Sequence, residues 1–332
     1  MRSVPWKQIV ISVGIAVVVV WRIPFSSLRM AFRNLELRSL LLALLSFLVW
    51  YGLRTYKWHR LMVAAGNPRL RQSVRALFGG FALGLITPGR LGELGRCIFV
   101  RHAERAQVGL LTVYDRLLDF WALLTSVGVS LFLLASRPAA IFGLAVWLAL
   151  LPVVMSFPAL VSHLAQWARK SRHLRGHFMD AAISMPDLPT PHFAMLAVAA
   201  MMAELASFFF LLRAFFPTQF STAIATYPYI ALAGDLPVSF SGMGVREGAA
   251  ALLLSSYAVP SGAAVDAALL WFVFAVLVPA AFGALWLVVE RARARARRSD
   301  AVVVEPTPLW VPVGLPPPVT AAAPEPRAIP AP

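Results

Sequence analysis

LFGGFALGLITPGRLGELGRCIFVRH, residues 77–102, is the stretch on which the fold turns. Its apolar run, Ala76 to Ile86, is about half of the roughly 20 residues that a spanning helix requires, and it stops at Thr87-Pro88-Gly89-Arg90. Proline removes a helical hydrogen bond and glycine admits non-helical backbone. The segment therefore reads as two half-helices joined by a loop at membrane depth, returning to the side it entered. A second stretch, YIALAGDLPVSFSGMGVREGAAALLL at 229–254, repeats this pattern, with an apolar run from Ala223 to Ala233 followed by Asp235, Pro237, Gly242, Gly244, Arg246 and Glu247.

The surrounding sequence supplies the solvent for these hairpins. Of 332 residues, 59% are hydrophobic and only 14% charged, with a mean hydropathy of +0.74, which places the chain in a bilayer rather than in water. Residues 8–25, 38–57, 109–135, 139–158, 192–216 and 263–289 are long and apolar enough to span, giving six full spans. Trp21, Trp50, Tyr51, Trp58, Trp147 and Trp286 lie near span ends, where amphipathic rings favour the headgroup layer. Arg2 and Lys7 precede an apolar run as in a signal peptide. Arg22, Ile23, Pro24 and Phe25 follow it without a small-residue cleavage site, so the run reads as a retained span.

The net charge of +15 sits in short clusters between apolar runs. That is the positive-inside pattern and not a nucleic-acid groove. Cys97 is the only cysteine, which excludes an intramolecular disulfide and a cysteine-based zinc site. His173 and His177 share i,i+4 spacing, but in a basic linker without an acidic partner, where a solvated face is the better reading than a metal site. No metal or cofactor is expected.

Charge also orders the topology. The segment bearing Arg54, Lys57, Arg60, Arg69, Arg71 and Arg75 reads as a cytoplasmic linker, as does the tail beginning RARARARR at Arg291. If both broken segments are hairpins, the linker with Arg169, Lys170, Arg172 and Arg175 is cytoplasmic too; if both cross, it falls outside. Hairpins are preferred, although Arg22, Arg29, Arg33 and Arg38 then sit outside under either scheme. Both halves, about 1–137 and 138–290, then read as span, span, hairpin, span in opposite orientations. The expected fold is an all-α polytopic membrane domain over residues 1–290, six spans plus two re-entrant hairpins in an inverted repeat, with sites where the breaks meet near the midplane. Residues 291–299 form a basic juxtamembrane segment, and the Pro/Ala-rich residues 300–332 a disordered tail.

Ionisable groups at membrane depth are costly unless they pair or line a wet cavity. They gather at the breaks: Arg90, Glu93 and Arg96 in the first, Asp235, Arg246 and Glu247 in the second. Guanidinium groups in a low-dielectric cavity suit a phosphate, which accepts two parallel hydrogen bonds. Half-helix N-termini beside Gly89, Gly92, Gly242 and Gly244 would add backbone donors. The bland reading makes Arg90 with Glu93, and Arg246 with Glu247, self-compensating pairs. Function is favoured, because buried ion pairs seldom improve stability over apolar packing. YDRLLDF adds Asp115, Arg116 and Asp119, with Arg116 and Asp119 on one helix face. A structural ion pair fits these three as well as a role in transport does. Glu204, alone within AMMAELASFFF, is either a proton-coupling group or a partner for a hairpin arginine.

TPGRLGELGR at 87–96, DRLLD at 115–119 and LPVSFSGMGVREG at 236–248 together resemble the lysylphosphatidylglycerol synthase transmembrane-domain family, also called flippase-like or UPF0104 proteins. RTYKWHRLM at 54–62 resembles the end of that family's second span, and the likeness runs to about residue 290. It implies a membrane domain that, in the full synthases, moves aminoacylated phosphatidylglycerol between leaflets. By position, Pro88, Arg90, Gly92, Glu93 and Arg96 match the first motif, and Pro237, Gly242, Gly244, Arg246 and Glu247 the second. The synthases carry a soluble aminoacyl-transferase domain after the membrane part, whereas here only the tail follows Arg298.

The expectation is therefore a lipid translocator of a bacterial inner membrane, with both termini cytoplasmic, membrane lipids as its partners and a separately encoded lipid-modifying enzyme beside it. The substrate would be an anionic or modified phospholipid, a polyprenyl-linked precursor or a hopanoid. The alternatives are a membrane-embedded lipid or glycosyl transferase and a non-catalytic scaffold. Asp-x-Asp, GxSxG and His-rich metal motifs are absent, which argues against an enzyme.

Overall fold

The computed structural model describes residues 35–66, 68–85, 87, 90–100, 105–134, 137–169, 188–236 and 241–302, and every regular element among them is helical. In chain order these are α1 (Leu37–Gly66), α2 (Leu70–Leu85), a 3₁₀ segment (Leu91–Phe99), α3 (Arg105–Leu134), α4 (Arg137–Met155), α5 (Phe157–Arg169), α6 (Thr190–Phe215), α7 (Phe220–Asp235), α8 (Val245–Ser255), α9 (Ser261–Phe272) and α10 (Val278–Val302). The last two are joined through a π turn, Val273–Leu277.

Among the described residues four helical stretches are long and apolar enough to cross a bilayer: Leu37–Ala64, Arg105–Leu133, Thr190–Phe215 and Ser261–Glu290. A fifth would join Gly143–Met155 to Phe157–His163, which are bent by 60° at Ser156. The span expected at 139–158 is thus a bent pair, and Pro152 inside α4 is the local cause of its weakness, since it removes a backbone donor one turn before the bend. The span expected at 8–25, the linker at 170–187 and the tail at 303–332 lie outside the described residues. The helix of the last span continues through the basic segment at 291–299 as far as Val302, and the compact unit to which the preceding helices belong ends at Val288.

A second correction concerns Arg54 to Arg75. The segment expected as a linker is largely helical, since α1 runs on to Gly66 and α2 starts at Leu70, with only residues 67–69 between them. Arg54 and Lys57 are buried, which a run of basic residues does not announce.

The two broken segments each fold back as a packed pair, α2 with the 3₁₀ segment and α7 with α8. At 16 residues, α2 and α7 reach about 24 Å, short of the roughly 30 Å hydrocarbon core. Small residues make the first pair possible. A methyl group added at Gly80 would lie 2.6 Å from Arg96 Cγ, and one at Gly84 would lie 2.8 Å from Glu93 Cγ. The Gly80-x-x-x-Gly84 stripe is thus the groove that admits two charged side chains. Both limbs of the first break are helical, and the returning limb is 3₁₀ and not α.

Around the hairpins, α1 packs along α6, and α6 also meets α3, α7 and α9. One further join has a clear cause. In the π turn Val278 N–H bonds five residues back to Val273 O. The next residue, Pro279, has no N–H for the Phe274 carbonyl. Tyr51 Oη on α1 donates to that carbonyl at 2.6 Å, tying the first described span to the last.

Candidate functional site

The hairpin loops meet each other. Ser241 N–H in the second break donates to Thr87 O in the first at 3.4 Å. Both turns need left-handed backbone at a residue with a side chain, Arg90 at φ 59° and Ser241 at φ 53°, and such non-glycine residues are uncommon and strained. Pro88, Gly89 and Pro237 lie outside the described residues.

Beside this junction is a cavity of about 260 Å³. Its polar wall carries Arg54, Arg90, Arg116, Asp119, Glu204, Asp235 and Arg246, and its apolar wall includes Leu91, Leu94, Phe120, Leu123 and Met201. Residues from both breaks and from α1, α3, α6, α7 and α9 therefore share one chamber. Of the residues singled out in the sequence, Arg90, Arg116, Asp119, Glu204, Asp235 and Arg246 reach it. Glu93, Arg96, Asp115 and Glu247 do not line it; they are buried behind the wall.

Behind the first break lies an ion network. Glu93 receives Arg90 at 2.9 Å, Arg116 at 3.0 Å, Arg96 at 3.2 Å and Arg54 at 3.7 Å. Asp115 receives Arg96 at 2.6 Å and Lys57 at 2.9 Å. Asp119 receives Arg54 and Arg116, each at 3.1 Å, and Lys57. Five cations thus share three carboxylates, so among its ion-paired members the network carries two excess positive charges. Arg96 is further held over the Trp58 ring at 4.7 Å.

The second break is built differently. Arg246 is 1% exposed, and among the described residues no carboxylate lies within ion-pairing distance of it. Its guanidinium lies over the Trp271 ring at 4.5 Å and against the Cα of Gly234, where an added methyl group would collide with it. Nε and Nη1 have no hydrogen-bond partner, and neither do Ser241 Oγ, Glu247 Oε1 and Trp271 Nε1 close by. Unsatisfied buried donors are rare because each loses its hydration without replacement. The pair imagined between Arg246 and Glu247 is absent, since Glu247 Oε2 instead accepts the Gly244 N–H at 2.5 Å and caps α8.

That cap also corrects the expectation of free backbone donors at the breaks. Gly244 N–H is spent on Glu247, and Gly92 N–H donates to Thr87 Oγ1 at 2.6 Å. Gly242 serves through conformation, with φ 78° and no room for a side chain against Gly234. Glu204 has no cation within ion-pairing distance among the described residues; Tyr227 Oη donates to its Oε1 at 2.9 Å.

Sequence reasoning missed Arg54, Lys57, Tyr227 and Trp271. Arg54 and Lys57 stand at i,i+3 with Trp50 and Trp58 on either side, a spacing that sets two cations beside aromatic rings on one helix. That signal was readable, but the positive-inside pattern accounts for the same residues. Tyr227 and Trp271 carry no local signal, because their roles depend on helices that meet only in the fold.

The chain belongs to the family described as the lysylphosphatidylglycerol synthase TM region, whose model matches residues 8–283. A comparison with curated proteins found no match. With its apolar helices, this family membership makes it a multi-pass membrane protein.

Proposed function

We propose that the protein moves a phospholipid with an anionic headgroup between leaflets, holding the headgroup phosphate in the cavity shared by the two breaks. The observation that carries this reading is Arg246, a buried guanidinium on the cavity wall with free N–H groups and, among the described residues, no carboxylate partner. Its planar face packs on Trp271 and the group abuts Gly234, which leaves its N–H edge to form the two parallel hydrogen bonds that a phosphate accepts. Arg90 and Arg116, which line the same cavity, add positive potential.

The shape of the cavity supports a lipid over a soluble anion. Leu91 and Leu94 of the first break and Phe120 of α3 line the chamber and are also 57%, 39% and 43% exposed on the surface. An apolar wall that continues onto the lipid-facing surface lets acyl chains remain in the bilayer while the headgroup enters. In this reading residues 8–25 supply a sixth span, the two halves are inverted repeats, both hairpins are re-entrant, and the termini face the cytoplasm of a bacterial inner membrane. The protein performs no chemistry itself. Its lipid comes from the membrane pool or from a separately encoded lipid-modifying enzyme.

The test is reconstitution of the purified chain in vesicles containing phosphatidylglycerol with a fluorophore on the acyl chain. Movement is followed by quenching of the outer leaflet. Leaflet exchange with intact lipid, lost in Arg246→Ala, is the expected result. A chemically altered lipid would make the protein a transferase, and neither movement nor alteration would leave it a scaffold.

A further inference from the structure

Charge counting in and behind the cavity leads to a second property of the same site. Arg54, Lys57, Arg90, Arg96, Arg116 and Arg246 are six cations; Glu93, Asp115, Asp119, Glu204, Asp235 and Glu247 are six carboxylates. With every group ionised the empty site is neutral. A phosphodiester entering it brings one negative charge into surroundings where an uncompensated charge costs several kcal/mol. One positive charge must accompany it.

Two carboxylates of the cavity wall, Glu204 and Asp235, take part in no ion pair among the described residues. Asp235 is exposed at the end of α7. Glu204 is the better placed for a proton. It lies near the middle of the 26-residue α6, and its one side-chain partner is the fully buried Tyr227 hydroxyl at 2.9 Å, a group that can donate to the carboxylate or accept from the acid. The groups facing it from the packed elements are Tyr51 and Arg54 on α1, Arg116 and Asp119 on α3, Tyr227 and Asp235 on α7, and Arg90 and Arg246 from the breaks. The cavity-lining residue of α9 is Trp271, which does not titrate, and α4 contributes none.

Tyr227 also connects this acid to the anion site. Its ring lies 6.1 Å from that of Trp271, on whose face the Arg246 guanidinium rests. We infer that Glu204 is a proton-coupling carboxylate, taking up one proton when an anionic headgroup enters the cavity and releasing it when the headgroup leaves, so that lipid movement is driven by a proton gradient. The inference rests on the headgroup reading above. The proton comes from water on the open side and returns to water on the other, with Glu204 cycling between carboxylate and acid.

The experiment titrates the full-length chain in detergent with dihexanoyl phosphatidylglycerol, in weakly buffered solution with a pH indicator, from mildly acidic to mildly alkaline conditions. Binding is read in parallel from tryptophan fluorescence, since Trp50 and Trp271 line the cavity. The expected result is one proton taken up per lipid bound in part of that range. Glu204→Gln retains an oxygen for the Tyr227 hydroxyl and is permanently neutral. It should bind the lipid several-fold more tightly near neutral pH and take up no proton. Lipid binding without proton uptake at every pH, or uptake by Glu204→Gln equal to wild type, overturns the coupling and leaves the headgroup reading standing. No binding of the lipid by either protein overturns both. In vesicles, an imposed pH gradient should accelerate fluorescent phosphatidylglycerol movement by wild type and not by Glu204→Gln; wild-type movement indifferent to the gradient also overturns the coupling.

Discussion

Arg96 and Arg246 are seated alike in the two hairpins and used differently. Each guanidinium lies over a tryptophan face, Trp58 for Arg96 and Trp271 for Arg246, and each side chain packs against a glycine of the descending limb, Gly80 or Gly234. Arg96 is bonded to both Glu93 and Asp115, whereas Arg246 meets no carboxylate among the described residues. The same seat thus serves two ends. Where acids converge on it, the arginine is a structural member of a buried network; where they do not, its hydrogen-bonding edge is left for something that enters.

The largest expected effect breaks the saturated half of this comparison. Arg96→Ala strips a cation from two buried carboxylates, a change that typically costs about 3–5 kcal/mol. We expect a large fall in melting temperature in detergent, or no folded protein. A small fall would mean that Arg90, Arg116 and Lys57 re-form the network without it.

Arg246→Ala should do the opposite. It removes a cation–π contact of about 0.5–2 kcal/mol but also two unsatisfied donors, so the melting temperature should move little. Affinity for dihexanoyl phosphatidylglycerol should fall roughly 10- to 100-fold, the loss of one charge-assisted fork of about 1.5–3 kcal/mol. Lysine should restore only part of it, because a point charge replaces a planar donor pair. Unchanged affinity in the alanine variant would move the headgroup site elsewhere.

The glycines sharpen the contrast at lower magnitude. In Gly80→Ala the new methyl lands 2.6 Å from Arg96 Cγ, within a packed hairpin, and should cost about 1–3 kcal/mol of stability. In Gly234→Ala the methyl strikes the Arg246 guanidinium itself and should shift it on Trp271. Headgroup affinity should therefore drop more than the melting temperature. Equal behaviour of the two variants in both assays would erase the distinction between the seats.

How far the sequence revealed all this depended on range. Proline, glycine and charge directly after an eleven-residue apolar run are local features, and they located both breaks. The described spans were legible for the same reason, and Pro152 was the feature from which the bend in α4 and α5 should have been read. The pairing of charges was legible only at short range: Arg90 with Glu93 and Arg116 with Asp119 pair as their spacing suggests, but the other pairings were not. Glu247 was matched with its chain neighbour Arg246 but caps the helix, while Lys57 finds Asp115 across two helices. Adjacency along the chain is a poor guide to buried ion pairs, because the backbone of a helix turns successive side chains to different sides.

The smallest expected effect concerns the two strained turns. Ser241 holds φ 53°, and its hydroxyl has no hydrogen-bond partner, so Ser241→Gly relieves a left-handed residue and loses nothing. Relief of about 1–2 kcal/mol, less about 0.4–1 kcal/mol for the freer unfolded chain of glycine, leaves a gain of about 0–1.6 kcal/mol, centred on about 0.8 kcal/mol. Arg90 at φ 59° offers the same relief, but its side chain bonds Glu93 at 2.9 Å inside the network. Losing a charge-assisted bond of about 1.5–3 kcal/mol outweighs the gain, and Arg90→Gly should lower the melting temperature where Ser241→Gly raises it. Opposite signs follow only if the first break is held by its ion pairs and the second by backbone and packing. If both glycine variants were stabilised equally, the Arg90 to Glu93 contact would contribute nothing to the fold, and Arg90 would join Arg246 as a cation free to meet the headgroup.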